Sequence, residues 1–357
     1  MDNMKKLLCL LLALCLLLSL TACISPVYPP EEQPAQLPQS DGLTVHFIDV
    51  GQADAALLQC AGENMLIDGG NVDDGQLVVS YLQDYGVEDL TYVVGTHAHE
   101  DHIGGLAAVL ANYSTEYVFS PVEEYDTNCF EDFKSYTYLQ GLELIRPVPE
   151  SVWYLGDAKI TILGPVEDYD DPNNTSIVLR VDYGETSFLF TGDAETDAEH
   201  DILDAGYNVS AAVLKVGHHG SNTSTCYRWL YEVAPVYGVI SCGTDNDYGH
   251  PHEEPMSRLR DAGVQLYRTD LQGHIVCRSD GKELTFATQK QAASTNPSAV
   301  DGQGQMGDGE GYIGNIKSKK FHVPACSNLP GEQNRILFET YKEAQTAGYS
   351  PCGGCLG

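Results

Sequence analysis

The segment THAHEDHIGG places His97, His99, Asp101 and His102 within six residues. The apolar run LTYVVG precedes it, so a buried strand must end where a tight loop aims four ligand-type side chains outward. Imidazoles and a carboxylate in one loop suit zinc, manganese or iron. Gly104 and Gly105 then open the next helix. A second cluster lies near the end of the chain, where His322, Cys326, Cys352 and Cys355 form HxxxC and then CxxC, the spacing of a closed Cys3His zinc site. His250 and His252, in GHPH, sit on a loop after the apolar run YGVISCG, where a general acid can be placed.

HxHxDH followed by a glycine pair resembles the metallo-β-lactamase superfamily, whose α+β fold is an αβ/βα sandwich with a metal site at one edge. Further matches follow in the order that resemblance requires. Asp68 in LIDGG matches a carboxylate that braces the metal loop, Asp193 in LFTGDAE one that bridges two metals, and His218 or His219 in LKVGHHGS the last ligand. One departure stands out. The third histidine expected before the Gly-Asp strand is missing, and DPNNTS, with Asn173 and Asn174, takes its place, leaving an Asn or a water to complete the first metal. His200 is no substitute, because it lies on the helix beyond Asp193.

The wordings FIDVGQADAALLQ, MLIDGG, THAHEDHIGGL, LKVGHHGSNTS and YGHPHEEPMSRLRDAG narrow the resemblance to the extracellular hydrolase domain of the ComEC DNA-uptake proteins. Ala53 replaces a glycine usual there and leaves Asp54 in place as a further brace. The resemblance covers the hydrolase alone, so transport through a pore does not carry over. It implies two divalent ions, Zn or Mn, held by His97, His99, Asp101, His102, Asp193 and one of His218 and His219. Two such cations lower the pKa of a shared water to about 7 and neutralise a phosphodiester. Asp101 would also orient the hydroxide and His250 would protonate the leaving group, with Asn174, Ser221, Asn222 and His252 near the substrate. The terminal segment resembles the small zinc domain of the Ada DNA-repair proteins. His322 stands at the methyl-accepting Cys, so only a structural zinc and a DNA-contacting role are implied. Lys317, Lys319, Lys320, Arg335 and Lys342 make it the one basic island in the chain.

These motifs need elements to carry them. Residues 1–22, with Lys5 and Lys6 before LLCLLLALCLLLSL, read as a secretory leader ending in a lipobox, so Cys23 is expected to carry lipid and hold the protein on a membrane. Residues 23–42 form a Pro-rich tether. Residues 43–288 hold the hydrolase: LTVHFIDV, ADAALLQC and ENMLIDGG predict an antiparallel start to a sheet, QLVVSYLQDYG a helix ending at Gly86, and strands and helices alternate from there on. Residues 289–311 are a linker of about 25 Å reach, and 312–357 are the terminal unit.

At 357 residues, 43% apolar and 20% charged, the chain is globular, and a net charge of −32 excludes gripping nucleic acid or anionic membrane by overall charge. A polyanion must be met locally. The reading is therefore a metal-dependent phosphodiesterase acting on extracellular DNA. A choline-phosphate or teichoic-acid esterase is the alternative enzyme, and a non-catalytic surface binding module the alternative class, against which the intact ligand set speaks. No protein partner is legible.

Overall fold

The computed structural model describes residues 42–291 and, within 312–352, all but 323–325, 327–328 and 339–340. The leader, Cys23, the tether through residue 41, linker residues 292–311 and Cys355 lie outside the described residues.

The chain lays down one sheet, then a second, then returns to the first. In the first lie β1 (Leu43–Phe47), β2 (Ala56–Cys60), β3 (Glu63–Ile67), β4 (Leu90–Val94), β5 (Thr115–Phe119) and β6 (Leu144–Ile145). In the second lie β7 (Val152–Leu155), β8 (Ala158–Gly164), β9 (Val178–Tyr183), β10 (Thr186–Phe190), β11 (Val213–Lys215), β12 (Tyr237–Ile240) and β13 (Gln265–Arg268). The return is β14 (Ile275–Ser279) and β15 (Leu284–Thr288), giving the orders β15-β14-β1-β2-β3-β4-β5-β6 and β13-β12-β11-β10-β9-β8-β7. β1, β2 and β3 pair antiparallel as expected, whereas β3 to β6 and β10 to β13 run parallel.

Alternate side chains of each strand feed different cores. On β4, Tyr92 and Val94 enter the core between the sheets, while Val93 faces a core under the helices Gly75–Asp84, Leu106–Asn112 and Asn128–Leu139. On β10, Phe188 and Phe190 point between the sheets and Leu189 toward the helices Thr196–Asp204, Tyr227–Val233 and Glu253–Asp261. Burial on both faces is why these parallel strands read as unbroken apolar runs. The result is the αβ/βα sandwich.

The five cysteines of this sandwich, Cys60, Cys129, Cys226, Cys242 and Cys277, are free. Burial pushes the Cys242 thiol up to about 12, so it stays protonated and inert. Among the described residues no helix is long and apolar enough to cross a membrane.

Terminal strands β16 (Tyr312–Asn315), β17 (Lys320–His322), β18 (Arg335–Phe338) and β19 (Ser350–Pro351) make a third sheet around Tyr312, Phe321, Phe338 and Tyr349. This unit makes contacts with the sandwich. Tyr227 packs against its core, and the hydroxyls of Tyr227 and Tyr312 both donate to Asp261 Oδ2, at 3.3 and 3.0 Å.

Candidate metal centre

The ligand-type side chains lie beyond the carboxyl ends of parallel strands: Asp68 after β3, His97 and His99 after β4 with Asp101 and His102 on the helical turn Glu100–Ile103 that follows, Asp193 after β10, His218 and His219 on a 3-10 turn after β11, and His250 in the longer loop after β12. Open α/β sheets gather ligands at this edge, where the backbone turns away and side chains converge. Two glycines let the loops close in. A Cβ at Gly105 would lie 2.0 Å from the carbonyl oxygen of Gly69, and one at Gly192 would lie 2.9 Å from Ser176 Oγ. Gly69 N–H donates to the His102 carbonyl and Gly105 N–H to that of Gly70, which zips the HxHxDH loop to the Asp68 loop.

Asp101, His102, Asp193 and His219 bring one ligand atom each within 4.8 Å of one another. His102 Nε2 and Asp193 Oδ1 are buried, face each other at 3.2 Å and have no other hydrogen-bond partner. Two such lone-pair atoms turned into one space fit a cation. The outer nitrogens are committed. His102 Nδ1 lies 2.8 Å from Asp68 Oδ2, and Asp68 is itself held by the Thr96 N–H and hydroxyl at 2.8 Å each. His219 Nδ1 donates to the Ser241 carbonyl at 3.0 Å. Both contacts fix the tautomer that presents Nε2 to the centre. His219 Nε2 lies 3.2 Å from Asp101 Oδ2, so of the adjacent pair it is His219 that joins this set.

The electrostatics agree. Burial works against a charged His102, but Asp193, Asp68 and Asp101 outweigh it and hold its pKa well above the ordinary value. Burial, with His102 next, keeps His97 well below its ordinary value and so neutral. Protons therefore occupy the centre when metal does not, and metal affinity must rise with pH as His102 gives up its proton.

The centre opens into a cleft of about 360 Å³ lined by Gln52, His99, Asn173, His218, Tyr248 and His250, among others. Four expected substrate residues are elsewhere. Asn174 is buried and its Oδ1 accepts from Glu195 N–H at 3.0 Å, so its neighbour Asn173 takes the cleft position. Ser221 Oγ lies 3.0 Å from Thr223 Oγ1 in a turn. Asn222 N–H donates to His252 Nδ1, and His252 Nε2 donates to the Tyr248 carbonyl. With both ring nitrogens used, His252 ties two loops together instead of facing substrate.

His250 does face the cleft, but burial, followed by His219, His218 and His252, lowers its pKa to about 4. It is neutral at neutral pH. Gly243 N–H donates to Gln52 Oε1 at 3.1 Å, which leaves Gln52 Nε2 to donate to His250 Nδ1 at 3.2 Å and puts the ring proton on Nε2. His250 can then donate to a leaving oxygen only as the neutral imidazole. Gln52→Leu removes that orientation; kcat is expected to fall about tenfold with KM little changed, the worth of one such hydrogen bond. Unchanged kcat would remove Gln52 from the site.

Sequence reasoning missed Gln52, Thr96, Ser176 and Lys215. Lys215 ends β11 and is buried, with Nζ 2.8 Å from the buried Asp54 Oδ2. Asp54 N–H in turn donates to the Asp101 carbonyl at 3.0 Å. A lysine inside an apolar strand was the available signal.

A family model described as the metallo-beta-lactamase superfamily matches residues 48–244. The chain belongs to this superfamily. Among its curated relatives, ComE operon protein 3 of Bacillus subtilis (strain 168) is 28% identical over 68% of this chain and 34% of its own length. Competence protein ComA of Neisseria gonorrhoeae is 33% identical over 68% of this chain and 33% of its own length. The chain thus spans about a third of these relatives. A solved superfamily structure, the metallo-beta-lactamase fold protein YhfI from Bacillus subtilis, is similar over 66% of this chain and 100% of that one, at 15% identity and a TM-score of 0.47. Membership makes the centre that of a metal-dependent hydrolase.

Outside the superfamily domain, His322, Cys326 and Cys352 bring ligand atoms within 4.8 Å of one another, with His322 Nδ1 3.3 Å from Cys326 Sγ. The fourth expected ligand, Cys355, is outside the described residues.

Proposed function

We propose that this chain is a metal-dependent phosphodiesterase that cuts DNA outside the cytoplasm, held at the membrane by lipid on Cys23. The observation that carries the reading is the converging set Asp101, His102, Asp193 and His219 at the floor of an open, polar cleft. When bound, two divalent ions would supply an activated water at neutral pH and neutralise a phosphodiester's charge. The chain's own part is to hold that arrangement: Asp68 and the Ser241 carbonyl orient the imidazoles, Asp101 directs the attacking water, and neutral His250 meets the leaving oxygen. No Ser or Cys nucleophile is required. An open cleft suits a polymer, and the names of the relatives, which include a competence protein and Recombination protein 2 of Haemophilus influenzae, agree with DNA as that polymer.

The test is incubation of the purified protein with single-stranded DNA, double-stranded DNA and a choline-phosphate ester, each with Mn²⁺, Zn²⁺ or chelator. Metal-dependent scission of DNA is expected. Turnover of the choline ester alone would replace the nuclease reading with an envelope esterase.

The terminal unit would hold a structural zinc through His322, Cys326, Cys352 and Cys355 and help to hold DNA. Its cations are partly engaged: Lys319 Nζ lies over the Tyr349 ring at 4.4 Å, and Lys320 Nζ donates to the Pro351 carbonyl at 3.1 Å. Deleting 312–357 is expected to spare a small chromogenic phosphodiester and weaken cleavage of long DNA, with a flatter salt dependence, by about 0.9 in slope per lost phosphate contact. Equal cleavage of long DNA with the same slope would leave the unit without a DNA role.

A further inference from the structure

The histidine expected third at the first metal position is missing, and DPNNTS stands in its place. We infer that His218 is the ligand that completes that position; the inference rests on the two-metal reading of the centre. Asp193 Oδ2 is the shared point. It lies 3.9 Å from His97 Nε2, 3.7 Å from His219 Nε2 and 3.6 Å from His218 Nε2. Donors bound at 2.0–2.2 Å to one cation stand about 3–4 Å apart, so all three separations suit ligands of one pair of ions. His219 belongs with Asp101 and His102. His97 pairs with His99, Nε2 to Nδ1 at 3.1 Å, on the side that lacks its histidine.

His218 has the support a ligand needs. Its Nδ1 lies 3.2 Å from Thr223 Oγ1 and 3.4 Å from Glu195 Oε1, which leaves Nε2 for Asp193 and the centre. Glu195 is built for this task. Its N–H donates to Asn174 Oδ1, and its Oε1 accepts from Asn173 Nδ2 at 3.4 Å. The two asparagines that stand where the third histidine is expected therefore hold the carboxylate that orients His218. The backbone is also committed, because His218 (φ 50, ψ 47) and His219 (φ 53, ψ 22) are consecutive left-handed residues. Non-glycine residues rarely hold that conformation, and here it brings both Nε2 atoms to the same carboxylate oxygen.

The experiment counts Mn²⁺ bound to the chelator-stripped protein by the electron paramagnetic resonance of the free ion, with the spin-coupled pair signal as a second readout. Mn²⁺ is chosen because the thiolates of the terminal unit do not favour it. The wild type is expected to hold two equivalents with a pair signal. H218N and H218G keep the left-handed backbone without strain. Each is expected to hold one equivalent at unchanged affinity and to lose the pair signal, and added imidazole should restore the second equivalent in H218G. Glu195→Ala should weaken only the second equivalent, by about 10–100-fold. Two equivalents at unchanged affinity in folded H218N would overturn this assignment alone. A wild type holding a single equivalent would overturn it together with the two-metal reading.

Discussion

Asp193→Asn is expected to lower phosphodiester hydrolysis by more than about 100-fold at any metal concentration, with the fold retained. Loss of a residue that merely supports a ligand costs about 10–100-fold in metal affinity or activity, and Asp193 is the carboxylate on which the ligands converge. Its Oδ1 faces His102 Nε2 and its Oδ2 faces His97, His218 and His219. The amide keeps the shape and removes the charge, so a second effect follows in the metal-free protein. Burial opposes the His102 cation and Asp193 is the first group that offsets it, so the His102 pKa should drop in the variant. The stability that cation contributes is present below its unfolded pKa and lost as pH rises through its folded value. In Asp193→Asn that loss should be smaller and be complete at lower pH. Denaturation of both stripped proteins between pH 5 and 9 reads it, and superimposable pH curves would remove Asp193 from this network.

Lys215→Met should be the most destabilising single change at the centre's rear. Lys215 and Asp54 are both buried, and removing one partner leaves an uncompensated charge at a cost of about 3–5 kcal/mol. The urea midpoint should fall by about 1 M or more. Adding Asp54→Asn should recover much of it, because the pair is replaced rather than broken. Since Asp54 N–H holds the Asp101 carbonyl, metal affinity should weaken in the single variant as well. A midpoint equal to wild type in Lys215→Met would show that the ion pair contributes nothing.

The HxHxDH segment was legible because its ligand-type side chains are contiguous, His97 and His99 just past β4 and Asp101 and His102 on the helical turn that follows. Asp68, Asp193 and the His218–His219 pair were legible through resemblance, each at the end of an apolar strand. The substrate residues were not, because backbone direction decides them. Asn173 and Asn174 are indistinguishable in sequence, yet one faces the cleft and the other hands its oxygen to Glu195 N–H. His252 looked as available as His250 until both its nitrogens were seen to be used. Gln52 lies within the FIDVGQADAALLQ wording, but its role was not legible there, since its partner His250 lies 198 positions away. The contact of the terminal unit with the sandwich was hidden for a similar reason. A linker's composition gives its reach, whereas the contact of Tyr312 with Asp261 is a matter of tertiary structure.

The most direct measurement is the initial rate of scission of end-labelled DNA by chelator-stripped protein as Mn²⁺ or Zn²⁺ is restored, with Asp193→Asn in parallel. The expected result is no scission without metal, scission rising to saturation as metal is added, and none in the variant. Scission by the stripped protein, or equal scission by folded Asp193→Asn, would contradict the assignment of hydrolysis to this centre.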